Sequence, residues 1–454
     1  MTDEGRLAGF VHSHRRDQIP DDVVETVKQM LMAVTGTAVA GAGEEGVAEL
    51  LAHLMDRGGK PEATVLVHGG KLPAPSAALL NGVMCRALDF CDSMSAGLHI
   101  GSSLIPAALA AAELKGGCEG EEFVSALVVG AEAASRMNLT GVDYDGFDPT
   151  GVAGVFGATA AAARILALDE DQVLNALALA FNRCGGSFQS NVDASLAVRL
   201  ISGWVAESGV NCALLAKIGF TGPENFISGI YGYGHLFAGN KAKAGGLLDG
   251  LGENYQLKMA HFKRYPSCGC TQAVTELTLN MAGIDGLRSD QVESIEVRLP
   301  PYSHRLVGHE FAIGHNPRVD AQFNAQYCVA SALVRGSASL DHFRPGEISD
   351  AEVLGLARRI KVLSDPEIAY KDRTSAVLSV KTKDGQSLSE RLDVAPGNPG
   401  NPLAREEHLA RFEDCMNYAD IPLPDDQAER LVEAINGLDG IGDARDLADL
   451  LVVT

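Results

Sequence analysis

The sequence predicts a mainly α protein, with a large all-α domain built from both ends of the chain and a smaller α+β domain between them. Three observations carry that expectation. Apolar residues recur at helical spacing from near residue 20 to near residue 250. After about residue 265 the period changes to two. Glycine is heavily used, at 50 residues, while aromatics make up only 6%, a composition that suits closely approaching helices rather than an aromatic-rich sandwich. At 454 residues the chain exceeds the size at which one core usually keeps growing, so two domains are expected.

The elements follow in order. IPDDVVETVKQMLMAV opens with Pro and Asp and then places Val23, Val27, Met30 and Val34 on one helical face, with its acidic residues in the first turn. EGVAELLAHLMDRGG, SAALLNGVMCRAL, EEFVSALVVGAEAASRM, GVFGATAAAARIL, DEDQVLNALALAF and SGVNCALLAKIG repeat the pattern. SIEVRL then alternates as a strand that ends at Pro300-Pro301, and TSAVLSVKTKDGQSLSERLDV reads as a hairpin turning at Asp384-Gly385. FNAQYCVASALV and SDAEVLGLARRI between them read as helices. APGNPGNPLA reads as a linker, after which LAREEHLARFEDC and DDQAERLVEAINGL return to helix and are expected to pack on the first domain.

With 59 acidic against 37 basic residues the net charge is −22, which repels nucleic acid and anionic membranes, so neither is an expected partner. Nine cysteines show no CxxC pattern, and reduced cytosolic thiols without a metal site are expected. The N-terminal MTDEGRLAGFVHSHRRD has no apolar core segment, and no run reaches the roughly 18 apolar residues of a membrane span. A cytoplasmic location is the corresponding expectation.

Candidate chemistry gathers in a few stretches. RALDFCDSMSAGLHIGSS sets Asp89, Asp92, Ser93 and His99 between two apolar runs. If the preceding helix continued to Asp92, the two carboxylates would share a face, and the small-residue loop MSAGL can return His99 to them. A carboxylate beside an imidazole is the minimal kit for proton transfer, because the acid can fix the ring tautomer and raise its basicity. A helix C-cap with a structural histidine is the alternative. In KRYPSCGCTQ, Lys263 precedes a helix start near Gly269 and Thr271, an arrangement suited to a substrate carboxylate. Cys268 and Cys270 form only a CxC pair, for which a buried structural role is the alternative to metal or redox chemistry. In VRLISGWVAESG, Arg199 can grip a carboxylate or serve in a structural ion pair. GFDPTGVAGVFGA adds Asp148 and Thr150 in a turn, and GHNPRVDAQF adds His315 and Asn316. GAGEEG matches a dinucleotide fingerprint, but a helix precedes it and two glutamates occupy the pyrophosphate position, so it reads as a helix-ending loop.

Taken in order, ALLNGVMCRALDFCDS with the later His99, GFDPTGVAGVFGATAAAARILAL, GWVAESGVNCALLAKIGFTGP, KRYPSCGCTQA, NPRVDAQFNAQYCVASALVRG and GNPGNPLAREEHLARF resemble the MmgE/PrpD family. That family includes 2-methylcitrate dehydratases, cis-aconitate decarboxylases and iminodisuccinate epimerases. The resemblance implies a helical domain of residues 1–265 and 398–454, an α+β lid domain of residues 266–397, a homodimer, and a cofactor-free site between the domains. It places the family's aspartate on Asp89, its hydroxyl on Ser93 in place of threonine, its first histidine on His99 and its lysine on Lys263, with Asp92, Arg199, Asp148, Tyr265 and Cys268 as substrate contacts. Asp148 stands where a second histidine is expected, Val198 where a lysine is, and Cys268 where the decarboxylases carry a further histidine. These departures bear on the substrate rather than on the fold.

The expected activity is that of a lyase, foremost a hydro-lyase, acting on a small di- or tricarboxylate of the methylcitrate type by proton abstraction beside a carboxylate. His99 serves as base or acid, oriented by Asp89 or Asp92. Lys263 and Arg199 act as clamps, and Ser93 holds a substrate oxygen. Epimerisation or decarboxylation of a related acid, or a catalytically inactive binding protein of the same fold, are the alternatives.

Overall fold

The computed structural model describes residues 2–95, 97–139, 146–238, 246–368 and 373–453. The chain is mainly helical and divides into two compact units. The first comprises Met1–Val192, Leu196–Ala260 and Cys415–Thr454, and the second Asp193–Ser195 with His261–Asp414.

In the first unit the periodic stretches form α1 (Asp3–Ser13), α2 (Asp21–Gly41), α3 (Val47–Arg57), α4 (Ala74–Arg86), α5 (Gly101–Lys115), α6 (Gly120–Met137), α7 (Val155–Ile165), α8 (Glu170–Phe181), α9 (Gln189–Val192), α10 (Ala197–Lys217) and α11 (Tyr233–Ala238). Two-residue strands β1 (Ala63–Thr64) and β2 (Lys71–Leu72) pair antiparallel, a small exception to the all-α expectation. The Ala/Gly-rich faces permit close helix crossings. Where α4 meets α10, a Cβ at Gly203 would lie 2.4 Å from the Leu79 carbonyl oxygen, so glycine is what lets the two backbones touch. A single π-helical turn, Thr150–Gly154, leads into α7, and such turns are frequent at functional sites.

The second unit is built on a four-stranded sheet. Further along the chain come the two-residue strands β3 (Asp92–Ser93), in the first unit, and β4 (His261–Phe262), then β5 (Val292–Leu299), β6 (Ile360–Ser364), β7 (Ala376–Thr382) and β8 (Ser387–Leu392). The sheet order is β6-β5-β7-β8, with β6 parallel to β5 and the other pairs antiparallel. Helices α12 (Gln272–Ile284), α13 (Pro301–Val307), α14 (Pro317–Gln322), α15 (Ala325–Arg335), α16 (Pro345–Ile348) and α17 (Ala351–Ala357) surround it. The core joins Val274, Leu277 and Met281 of α12 to Ile295 and Val297 of β5 and Leu378 of β7. The β7–β8 hairpin turns at Asp384-Gly385 as expected, with Gly385 at φ 86°.

Two expectations are corrected. SDAEVLGLARRI is not one helix: α17 stops at Ala357, and Ile360 already belongs to β6, where its pairing with Ile295 of β5 outweighs helical continuation. APGNPGNPLA is not a free linker. Ala395 to Asn398 are buried, and the Phe262 amide donates to the Gly397 carbonyl at 2.9 Å. Gly397 has φ 82°, and a Cβ there would meet the Phe262 oxygen at 1.8 Å, so the loop is packed and specific to glycine. The helix α18 (Arg405–Tyr418) follows it and carries the chain from the second unit into the first.

Candidate active site

Residues 86–94 and 98–101 are buried and held by charge. Helix α4 ends at Arg86, not at Asp92, so the two carboxylates do not share a helical face. Asp89 lies just beyond, at φ 53°, a left-handed conformation that Asp tolerates better than most residues. That turn brings its Oδ1 to Arg86 Nη1 at 2.5 Å, with both side chains nearly inaccessible. Asp92 takes a different part. Its Oδ2 accepts from the Ile100 amide at 3.1 Å and its Oδ1 from the Gly101 amide at 3.0 Å, which caps the N-terminus of α5. Expected as a substrate contact, its carboxylate is committed to these amides. Gly101 makes the cap possible, since a Cβ there would lie 2.4 Å from Asp92 Oδ1.

The chain then doubles back between Met94 and Leu98, whose backbones exchange hydrogen bonds of 2.7 and 3.0 Å; Ala96 within this loop lies outside the described residues. His99 is thereby returned to the cluster, 7% exposed. Its Nδ1 meets the Asp92 carbonyl oxygen at 2.8 Å and Cys91 Sγ at 3.3 Å. A carbonyl only accepts, so Nδ1 carries a proton, and in the neutral ring the lone pair is on Nε2. The tautomer is therefore set by a backbone carbonyl rather than by a carboxylate. Nε2 lies 3.8 Å from Asp89 Oδ1. Ser93, in β3, is also buried.

Asp148 and Thr150 support the ring from another side. The His99 amide donates to Thr150 Oγ1 at 3.0 Å, and the Thr150 amide donates to Asp148 Oδ1 at 2.8 Å. Burial pushes the Asp148 carboxyl above its usual range, against hydrogen bonds from Thr150 and the charge of Arg86, which oppose the rise. The direction favours the neutral acid, which can donate a hydrogen bond.

Arg199, near the start of α10, takes up the structural alternative. Its Nη1 donates to the Glu45 carbonyl at 2.7 Å, and its Nη2 lies 3.5 Å from Glu44 Oε2. Glu44 Oε1 in turn accepts from Tyr418 Oη at 2.8 Å. The GAGEEG loop is thus a helix-ending loop that holds an arginine.

In the second unit, Lys263 is buried, 2% exposed, at the start of a turn stitched by neutral side chains. The Tyr265 amide donates to Gln272 Oε1 at 2.9 Å, and Gln272 Nε2 donates to the Tyr265 carbonyl at 2.9 Å. Ser267 and Thr271 hydroxyls pair at 2.8 Å, Gln322 Nε2 donates to the Pro266 carbonyl at 2.8 Å, and the Cys268 amide donates to the Gln322 carbonyl at 2.9 Å. Tyr265 Oη donates to Glu276, which also pairs with Arg264 at 3.1 Å. Burial, with Glu276 beside it, pushes the Tyr265 phenol well up, so it stays protonated. Gly269–Thr271 form a 3-10 turn into α12, the helix start the sequence indicated. Asn316 caps α14 through the Val319 amide at 3.3 Å, and His315 is exposed.

Sequence reasoning passed over Arg86, Gln272 and Gln322. Arg86 carried a signal, as the one charge in SAALLNGVMCRAL and three residues before Asp89. The two glutamines carried none. Among the described residues no three His, Cys, Asp or Glu side chains are placed to hold a metal, and no helix is long and apolar enough to cross a membrane.

The first unit thus defines a helical protein with a buried acid–imidazole couple, equipped to move a proton. Residues 5–244 match the MmgE/PrpD N-terminal domain and residues 265–437 the MmgE/PrpD C-terminal domain. The chain belongs to the MmgE/PrpD family. It is similar to cis-aconitate decarboxylase of Mus musculus, 24% identical over 460 residues that cover 98% of this chain and 92% of that protein. The Homo sapiens cis-aconitate decarboxylase is 23% identical, covering 98% and 93%. A cis-aconitate decarboxylase-like protein of Aspergillus oryzae is 25% identical, covering 98% and 96%.

Proposed function

We propose that this chain is a lyase acting on a small polycarboxylate without a cofactor, with His99 as the residue that moves the proton. The observation that carries the reading is the ring itself: buried, its Nδ1 proton fixed on the Asp92 carbonyl, its Nε2 beside Asp89 Oδ1. In an elimination, His99 Nε2 takes the proton from the carbon next to a carboxylate, that electron pair forms the double bond, and the departing hydroxide takes the proton back from the imidazolium and leaves as water. Lys263 and Ser93 are assigned to the substrate's carboxylate and oxygen. Asp148, which brings no positive charge, is assigned to a hydroxyl or amine of the substrate rather than to a further carboxylate. These assignments favour a hydro-lyase of the methylcitrate type.

A second reading, decarboxylation of a cis-aconitate-like acid, is supported by the relatives, whose likeness runs over 98% of the chain. There the C–C bond to the carboxylate breaks, CO2 leaves, and protonated His99 returns a proton to the electron pair left behind. Asp148, in the place of a second histidine, weighs against it. A homodimer and a cytoplasmic location complete the proposal.

The test is a substrate panel of methylcitrate, cis-aconitate and iminodisuccinate followed by NMR, with wild type and His99→Asn in parallel. Dehydration lost by roughly 10²–10⁴-fold in a folded His99→Asn protein is the expected result. Undiminished turnover in that variant would sink the role of His99, and efficient decarboxylation of cis-aconitate would replace the first reading by the second.

A further inference from the structure

We propose that Arg86 is a positioning residue for proton transfer: its guanidinium holds the Asp89 carboxylate in place and opposes, at the His99 ring, the attraction of that carboxylate for a proton. The proposal rests on the reading of His99 as the proton-transfer residue. Its core is one shared atom. Asp89 Oδ1 is the oxygen that meets Arg86 Nη1 at 2.5 Å and also the oxygen that lies 3.8 Å from His99 Nε2. The guanidinium therefore holds the near contact and the imidazole the far one.

Without that competition, a buried carboxylate beside a buried imidazole collapses into an ion pair, and a ring already protonated cannot take a proton from a substrate. Arginine suits the task because it stays charged at any pH the protein meets, whereas a lysine or histidine could lose its charge on burial. The position is equally specific. Arg86 is the last residue of α4, and the left-handed turn at Asp89 three residues later aims the carboxylate back at it.

Other titratable groups of the first unit lie near this couple. The Asp92 carboxylate accepts from the α5 amides, and the Cys91 thiol lies against Nδ1. The Cys85 thiol on α4 is pushed up by burial and stays neutral. Asp148 acts on Arg86 from the turn before α7, so the guanidinium feels two acids, and burial pushes the Asp148 carboxyl up.

The experiment follows the His99 ring directly, in the full chain labelled with ring-15N histidine, the signal assigned by its loss in His99→Asn. In Arg86→Gln the titration midpoint of His99 is expected to rise by about one pH unit, the scale for a charge within a few ångströms, and in Arg86→Lys to return most of the way. Arg86→Met, which leaves no amide to satisfy, replaces the glutamine variant if that one fails to fold. A midpoint in either folded neutral variant that stays within about 0.2 pH unit of wild type, on the same scale, overturns the proposal. With whichever panel acid is turned over, the acid limb of kcat/KM moves with the midpoint, while a merely structural arginine lowers the rate and leaves the limb in place. The two readings fail separately: an active His99→Asn removes the role of His99, and an unmoved midpoint removes only that of Arg86.

Discussion

The stretch 86–101 and the stretch 263–272 are both largely buried and both lead into a helix, yet they are held by opposite means. The first uses charge: a guanidinium on Asp89, a carboxylate on the α5 amides, an imidazole on a carbonyl. The second relies mainly on neutral amides and hydroxyls, with Gln272 clasping both backbone atoms of Tyr265 and Gln322 reaching Pro266, beside a Glu276 that takes Tyr265 and Arg264. On the proposed function, charge gathers where a proton is to move, because only a titratable ring with charged neighbours can be poised to accept and release one. Neutral stitching fixes the shape of the turn that follows Lys263.

Asp89→Asn tests the charged side with the largest expected loss of stability. Asparagine tolerates the left-handed turn and keeps the shape, so the backbone costs little. What remains is Arg86, buried without its counter-charge, and breaking a buried pair from one side costs about 3–5 kcal/mol. Urea unfolding of wild type and variant measures it. A loss under about 1 kcal/mol would mean that the pair does not organise this region and would weaken the contrast itself.

Gln272→Ala probes the neutral side and is expected to cost less, about 1–3 kcal/mol, from a buried amide and carbonyls left unsatisfied. The distinguishing feature is pH. The amide clasp itself contains no titrating group, so the loss should be equal at pH 5 and pH 8. A loss that varies with pH would show that the turn depends on the charges of Lys263 or Glu276 after all.

Most helices were legible because their apolar period is strong, and the β7–β8 hairpin because Asp384-Gly385 is a local turn signal. β6 was hidden: Ile360 continues a helical pattern, and only the distant pairing with Ile295 makes it a strand. In the site, the residue types of Asp89 and His99 were readable, while the division of labour between Asp89 and Asp92 was not. It depends on where α4 stops and on a Gly101 with no Cβ, and neither is a property of the carboxylates. Arg199 shows the same limit, since its choice of Glu44 depends on a loop some 150 residues away in sequence.

The smallest expected change, a slight net loss in the wild type, comes from pH acting on the second unit. His408 on α18 is buried against the Phe262 ring, 5.0 Å between centroids, and burial, with Arg411 nearby, lowers it from 6.5 to about 4. Its folded value lies below its unfolded one, so protons favour the unfolded chain. The contribution is intact above pH 6.5 and is lost as pH falls toward 4, by about 2 kcal/mol at pH 5. Asp414, on the same helix, is raised by burial from 3.8 to about 6. Its sign is opposite: stability is gained as pH falls through 6, which offsets about 1 kcal/mol at pH 5. His408→Asn removes the first effect and leaves the second. The wild type should therefore lose slightly between pH 7.5 and pH 5, whereas the variant should gain, the two differing by about 2 kcal/mol in the change measured by urea unfolding. The absolute cost of the substitution cancels in that difference. Equal changes in both proteins would remove His408 as the acid-sensitive point of the second unit and leave the charged cluster around His99 as the place to look.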